Sequence, residues 1–410
     1  MKILYVNHYA GSPSYGMEYR PFYMAREWVR AGHQVRIVAA DRSHIRAVTP
    51  DLKQQSRMDE VIDGVNYTWL KTPEYEGNGF GRVKNMASFV SQLYSTARSW
   101  ADAEKPDVVI ASSTYPMDVW AAKRIADIAK AKLVFEVHDL WPLSPMELGN
   151  MSKWHPFIML VQAAEDYAYR NSDVVVSMLP MVHSYMQSRG LDLRKLHIVP
   201  NGISLDEWKD IEALTSLSAL GVLNGLKAEG RVVVGYAGTH GVANALDTLL
   251  DVAGVMKVDE RVAFVLVGMG PDKAALQRRA KAEGLNNVYF LDPVPKTQIP
   301  ALLEFFDISF IGWHRQALYR FGISPNKLMD YMMAGRAVLH SVEAGNDAVG
   351  DARCGLTVEP EDPQAIVQGL RELIEAGAVE RQAMGERGRN YVLENHTYPV
   401  LAKKFIDAFV

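Results

Sequence analysis

Along the chain, short runs of near-continuous apolar, β-branched residues alternate with longer stretches whose apolar positions recur every three or four residues. In the first half the strand patterns are KILYV (2–6), QVRIVA (34–39), DVVIAS (107–112), KLVFEV (132–137), DVVVSM (173–178) and LHIVP (196–200). Helix patterns between them run at 16–31, 82–104, 116–130, 153–171 and 181–189. A strand that is apolar at nearly every position is buried on both faces, so the alternation predicts a parallel sheet covered by helices on each side. A loosely patterned segment begins with NGISLDEWKD at 201 and ends near 230. The alternation then restarts with RVVVGYAG (231–238), VAFVLVGMG (262–270), NVYFLD (287–292), DISFIG (307–312), RAVLHS (336–341) and GLTVEP (355–360). Two consecutive doubly wound α/β domains are the economical reading, with a helical stretch at 379–410 broken around His396–Pro399.

Ligands of open α/β sheets sit beyond the carboxyl ends of the strands, which directs attention to the loops after KILYVN, VGYAG, VLVG and ISFIG. FGISPNKLMDYMMAG (321–335) reads as a loop that becomes a helix, with Ser324 placed to cap it and Pro325 at its first position. Lys327 and Asp330 fall three apart on one face, while Leu328, Met332 and Gly335 follow the apolar face. Either this is a capped helix with a surface ion pair, or the helix end holds an anion and Asp330 holds a group attached to it. GYAGTHG (235–241) places three glycines at a strand-to-helix turn, where backbone N–H groups can approach a phosphate; VGMGP (267–271) and the Gly11–Gly16 loop are further turns of this type. The spacing is not G-x-G-x-x-G, so a nicotinamide site is weakly supported. FEVHDLWP (135–142) ends a strand with His138 and Asp139, a pair that is structural or catalytic.

Composition changes this picture mainly by exclusion. At 410 residues, 48% hydrophobic and 22% charged, with net charge −4, the chain is an ordinary globular one with no bulk signal for nucleic acid. Residues 1–202 carry 23 Lys/Arg against 21 Asp/Glu, and the remainder 21 against 27, an asymmetry that permits an anionic membrane partner. Cys354 is the only cysteine, which rules out an intrachain disulfide and a cysteine-rich metal site. There is no D-x-D pair, no G-x-x-x-x-G-K-[ST] loop and no H-E-x-x-H, so a bound diphosphate would be neutralised by helix-end N–H groups and by Lys327, Arg320 or Arg315. The opening apolar run stops at Asn7–His8, short of a signal peptide, and no stretch reaches the roughly 18 residues of a span; the expectation is a cytoplasmic protein. GRVKNMASFVSQLYSTARSW (81–100) and SPMELGNMSKWHPFIML (144–160) mix basic, aromatic and apolar residues, and either could face lipid from the surface or belong to ordinary core.

Taken together, residues 1–40, VPNGISLDEW, YAGTHGVANALDTLLDVA, LVGMGPDKAALQ and ISPNKLMDYMMAGRAVL resemble retaining glycosyltransferases of family 4, of the type that builds bacterial O-antigen, capsule and exopolysaccharide. The resemblance implies a GT-B fold: two Rossmann-like doubly wound domains facing a central cleft. It implies an acceptor domain at 1–202, a nucleotide-sugar domain at 203–390 and a terminal helix at 391–410 crossing back. By position in the family motif, Asp330 would bind the ribose of the nucleotide. Ser324, Asn326 and Lys327 would cradle the diphosphate, with Arg320 beside them. Gly238, Thr239, His240 and Gly241 would approach it from one side and Gly16 from across the cleft; Gly268, Gly270 and Val294 would complete the nucleotide site. His138 would lie near the donor sugar and acceptor, with Glu18, Arg20, Asp139 and Trp141 on the acceptor side. The resemblance further implies a UDP-sugar donor, no metal or other cofactor, and a glycan or polyprenyl-diphosphate-linked sugar acceptor. With a lipid-linked acceptor, the two mixed stretches at 81–100 and 144–160 make the first domain the candidate for peripheral contact with an anionic membrane, on the cytoplasmic face of the inner membrane. Three departures stand out: Gly322 occupies the place of the motif's first glutamate, Asp330 stands where its second acid is usually a glutamate, and Asn244 stands near where a lysine is common. A nucleotide-sugar 2-epimerase of the same fold and a non-catalytic sugar-nucleotide-binding protein are the rival readings.

Overall fold

The computed structural model describes residues 1–77, 79–209 and 211–410, so Asp210, the last residue of NGISLDEWKD, lies outside the described residues. The chain forms two compact units. The first comprises Met1–Asn201, Phe321–Ser324 and Tyr398–Val410; the second comprises Gly202–Arg320 and Pro325–Thr397.

The strands of the first unit are β1 (Lys2–Val6), β2 (Gln34–Ala40), β3 (Arg57–Ile62), β4 (Val65–Leu70), β5 (Val108–Ala111), β6 (Lys132–Val137), β7 (Val174–Ser177) and β8 (Leu196–Ile198). They form one sheet in the order β3-β4-β2-β1-β5-β6-β7-β8, parallel except for the β3–β4 hairpin. That hairpin is absent from the elements expected above. β3 is an edge strand whose residues alternate between exposed and half-buried, so it shows no apolar run. Its signal is the Asp63–Gly64 pair, whose φ angles of 48° and 82° make the tight turn that joins antiparallel strands. Helix Arg20–Arg30 covers the sheet with Phe22 and Trp28, and helix Tyr398–Asp407 packs on it. There the Trp28 indole donates to the Ala402 carbonyl at 2.9 Å, and the Tyr23 and Tyr398 rings lie 4.8 Å apart. Fully burying one such side chain, Phe405 for example, contributes about 1.5–3 kcal/mol.

In the second unit β9 (Val232–Ala237), β10 (Val262–Val267), β11 (Val288–Leu291), β12 (Ile308–Gly312), β13 (Ala337–Ser341) and β14 (Gly355–Val358) form an all-parallel sheet ordered β11-β10-β9-β12-β13-β14. Both sheets reverse their winding direction beside a central strand, between β1 and β5 and between β9 and β12. The crevices beyond the carboxyl ends of these pairs are where each sheet can take a ligand. Among the described residues no helix is long and apolar enough to cross a membrane.

Candidate functional site

Helix Asn326–Met333 in the second unit buries Leu328, Met329, Tyr331, Met332 and Met333, as the apolar spacing requires. Its start differs from expectation. Pro325 occupies the capping position without a side-chain cap, and Ser324 belongs to the first unit, where its hydroxyl accepts from Asn201 N at 2.8 Å. The expected surface ion pair is also absent. The Lys327 ammonium turns back to the β9 loop, donating to Tyr236 OH at 2.8 Å and Asn244 Oδ1 at 3.1 Å, and sits 4.0 Å from the centre of the Tyr236 ring. Tyr236 OH and Asn244 Nδ2 both donate to the Thr239 carbonyl, at 2.7 and 3.0 Å, so the lysine and its two partners hold the glycine loop in place. With no carboxylate beside it among the described residues, Lys327 is pushed down to about 7 by burial. Asp330 is pushed up to about 7, by burial first, with Glu207 adding and Lys296 opposing. Its carboxylate has no hydrogen-bond partner among the described residues, yet its oxygens are not sealed from solvent. A cation and an acid on one helix, each shifted by desolvation and neither paired with the other, are groups suited to a charged, hydroxylated ligand.

The glycines around them divide by cause. Gly235 is required by packing, since a Cβ there would lie 2.1 Å from the Phe306 ring. Gly238 faces the Lys327 side chain, whose Nζ would lie 2.9 Å from an added Cβ. Gly268 and Gly270 let the β10 loop lie against the β9 loop, where added Cβ atoms would meet Gly238 O at 1.9 Å and His240 O at 2.2 Å. The His240 side chain is turned into the core. Its ring is fully buried with neither nitrogen partnered, and burial, with Lys273 and Lys327, pushes it down to about 4. It contributes through its backbone, which donates to Met269 O at 2.8 Å and accepts from Asp272 N at 3.0 Å. The Thr239 and Gly241 amides donate to no protein group among the described residues. A recess of about 290 Å³ opens beside Gly241, floored by Leu246 and Leu276. Arg315 is not a cation for a phosphate: it binds Glu343 at 3.1 Å, Glu359, and through its backbone N–H Glu361 at 2.9 Å. Arg320 donates to Ala317 O at 2.5 Å, and Val294 lies half-buried in the loop after β11. Gly322, in the place of the motif's first glutamate, has φ 92°, a backbone conformation that a glutamate adopts only with strain.

In the first unit, His138 follows β6 and is 9% exposed. Its Nε2 lies 2.9 Å from Ser112 Oγ and 3.4 Å from Glu136 Oε2. Glu136 is fully buried and ion-paired with Arg20 at 2.9 Å, and it accepts from Tyr5 OH at 2.5 Å and Ser112 Oγ at 2.6 Å. Burial alone would raise Glu136; Arg20, then His138, outweigh it and hold the carboxyl well below the usual range. Burial alone would depress His138; the Glu136 carboxylate outweighs it, with Glu18 adding, and the imidazole stands above its ordinary value. Arg20, expected on the acceptor side, is therefore a core residue whose guanidinium also donates to Pro200 O at 2.6 Å and Val199 O at 2.8 Å. Near His138, Glu18 is half-buried and accepts from Arg20 N at 3.4 Å, Asp139 is exposed, and Trp141 is half-buried against Phe157 at 6.2 Å. Gly16 has φ 96° and lies against Ala47, whose N would be 2.8 Å from a Cβ. Glu136, Ser112, Tyr5 and Tyr236 were not foreseen as site residues, and Asn244 was noted only as standing near the place of a common lysine; among the four the visible signal was Glu136, an acid inside the apolar strand KLVFEV.

Of the two stretches weighed for lipid contact, the first is core, with Phe89, Leu93 and Trp100 buried. The second exposes Leu148, Trp154, Met159 and Leu160 around Lys153. A recess of about 740 Å³ at the amino ends of β5 and β6 holds none of the candidate residues.

Residues 16–202 match the glycosyl transferase 4-like domain, and residues 231–376 match the glycosyl transferases group 1 domain. A putative colanic acid biosynthesis glycosyl transferase, WcaI of Escherichia coli K12, is 24% identical over 376 residues, covering 85% of this chain and 86% of the relative. Among solved structures, sucrose-phosphate synthase from Thermosynechococcus elongatus superposes with TM-score 0.71 at 15% identity, covering 99% of this chain and 98% of that one. HepE of Anabaena, in complex with UDP, superposes with TM-score 0.68 at 16% identity, covering 99% of both chains.

Proposed function

Since the chain belongs to the family 4 type of GT-B glycosyltransferases, with a 4-like domain followed by a group 1 domain, we propose that it is a retaining, metal-independent transferase using a UDP-sugar. The acceptor in this reading is a glycan or polyprenyl-diphosphate-linked sugar of a bacterial surface polysaccharide. The observation that carries it is Lys327, a desolvated cation without a carboxylate, held against the glycine loop at a helix start. A diphosphate supplies the missing counter-charge, with Thr239 and Gly241 amides as further donors. Asp330, three residues on, supplies an acceptor for the ribose hydroxyls. The UDP-bound HepE structure and the colanic acid assignment of WcaI favour this donor and product class by likeness.

In this reading the sugar's anomeric carbon is attacked from the face the diphosphate leaves. The leaving phosphate helps to take the acceptor's proton, and the protein's main task is to stabilise the charge that builds on the leaving group. Among the described residues no three metal-ligating side chains gather, and the residues offered to the diphosphate are a lysine and backbone amides. His138 hydrogen-bonds the reacting centre and does not act as a nucleophile. Peripheral membrane contact, if the acceptor is lipid-linked, is assigned to the exposed Leu148–Trp154–Leu160 surface of the first unit.

Melting curves with UDP, GDP, ADP and CMP, each with EDTA, test the donor site. One nucleotide at about a hundred times its dissociation constant adds roughly 2.7 kcal/mol. The expected result is a shift with UDP that survives EDTA and disappears in Asp330→Ala; no shift with any nucleotide would overturn the reading.

A further inference from the structure

We propose that Glu136, Ser112 and Arg20 are positioning residues that lock His138 in one tautomer, with Nε2–H turned inward and Nδ1 presented as a hydrogen-bond acceptor to a substrate hydroxyl. The inference rests on the reading that His138 works at the reacting centre.

The argument is a count of protons along a buried chain. Tyr9 N donates to Asn7 Oδ1 at 3.0 Å, which fixes the Asn7 amide so that Nδ2 faces Ser112. Nδ2 donates to the Ser112 carbonyl at 2.6 Å and to its hydroxyl at 3.0 Å, so the hydroxyl oxygen is already an acceptor on that side. A serine has one proton to give. It goes to Glu136 Oε2 at 2.6 Å, because that carboxylate is ionised beside Arg20 and has no proton of its own to offer. Arg20 cannot turn away to release the acid, since its remaining nitrogens are bound to Pro200 O and Val199 O. Tyr5, whose phenol is raised well above its ordinary value first by burial, keeps its proton and gives it to the same Oε2.

Ser112 Oγ therefore has only a lone pair for His138, and the 2.9 Å contact requires a proton on Nε2. The direct approach of Glu136 Oε2 to Nε2 at 3.4 Å favours the same form. In the neutral ring this leaves the lone pair on Nδ1. That nitrogen has no protein partner among the described residues and is not among the atoms sealed from solvent. A core ion pair thus decides what the exposed edge of one imidazole can do.

The charged groups facing the ring are Glu136 from β6, Arg20 from its helix, Glu18 from the loop after β1 and the neighbouring Asp139. The carboxylates Glu136 and Glu18 favour the imidazolium and Arg20 opposes it. The acceptor at Nδ1 exists above the folded midpoint of His138, and falling pH converts it to a donor.

Long-range 15N–1H spectra of the wild-type chain, with the His138 signals assigned by their loss in His138→Gln, read the tautomer without any turnover. The expected result is Nε2–H in the neutral ring and a titration midpoint above 6.5. In Glu136→Gln the amide at the former Oε2 position donates to Ser112, the serine proton swings to Nε2, and the ring should invert to Nδ1–H with a lower midpoint. UDP release from UDP-glucose should then fall at least tenfold in kcat with donor KM within twofold, its acid limb moving to lower pH. If that variant does not fold, Ser112→Ala keeps the Arg20–Glu136 pair; Glu136 Oε2, 3.4 Å from Nε2, then holds the tautomer alone, and kcat should fall because the ring has lost its serine anchor. An Nδ1–H ring in the wild type, an unchanged tautomer and midpoint in folded Glu136→Gln, or an unchanged kcat in Ser112→Ala overturns the positioning chain. Full turnover by His138→Gln overturns the role at the reacting centre instead, whatever the spectra show.

Discussion

The polar side chains after β6 and those at the helix start Asn326–Met333 are handled in opposite ways. Around Glu136 in the first unit the polar groups are satisfied by one another. Arg20 pairs with Glu136, Glu136 takes two further hydroxyl protons, and the chain ends on one imidazole edge. In the second unit a lysine and an aspartate sit desolvated, and neither forms an ion pair among the described residues. Polar groups consumed by one another orient something; polar groups left unmatched wait for something. The first arrangement suits a reacting centre that must be held still, and the second suits a site for a charged nucleotide.

Removing one partner separates these cases most sharply in stability. Arg20→Met leaves Glu136 buried without its cation and should cost about 3–5 kcal/mol in urea unfolding. Lys327→Met relieves a desolvated cation but also removes its hydrogen bonds to Tyr236 and Asn244, so ligand-free stability should change by no more than about 1 kcal/mol. Equal losses in the two variants would erase the distinction. Next in size, Lys327→Met should weaken UDP binding by about 1.5–3 kcal/mol in calorimetric titration, the range for hydrogen bonds to charged groups. Near pH 8 wild-type binding should also take up a proton onto Lys327, seen as a dependence of the binding enthalpy on buffer.

The pH dependence of ligand-free stability sharpens the contrast further. Folded Asp330 keeps its proton to about pH 7, whereas the unfolded chain releases it near 3.8. The native state binds more protons across that window, so stability falls as pH rises through it. Lys327 loses its proton near 7 when folded and near 10.5 when unfolded, so stability climbs again above pH 7. Melting temperatures from pH 4 to 10 should show a trough near neutrality, each limb worth about 1–2 kcal/mol after solvent screening. Asp330→Asn should flatten the acid limb and Lys327→Met the alkaline one. The smallest expected effect belongs to Gly322→Glu, which restores the motif residue but forces a side chain onto φ 92°. It should lower stability by about 1 kcal/mol without improving donor turnover; a gain in turnover would show that the loop relaxes to use the glutamate.

Twelve of the fourteen strands were legible because a buried parallel strand has to be apolar at almost every position, and KILYV or VAFVLV can satisfy little else. The β3–β4 hairpin lacked that signature and was recoverable only from its Asp63–Gly64 turn. Local chemistry at helix Asn326–Met333 was partly legible too, since Lys327 and Asp330 are three apart whatever else the chain does. Their partners were not. Lys327 meets Tyr236 and Asn244 from 91 and 83 residues away, and Arg20 meets Glu136 from 116.

By itself the sequence determined the two doubly wound sheets, the carboxyl-end loops and the residue types those loops carry, because periodicity and turn chemistry act over a few neighbouring residues. Only the tertiary structure decided that Ser324 caps nothing, that Arg315 is already neutralised by glutamates, that Arg20 is core, and which face of His138 is left open. A side chain's charge state and free hydrogen-bonding capacity depend on what is brought within a few ångströms of it, and here those groups come from distant strands.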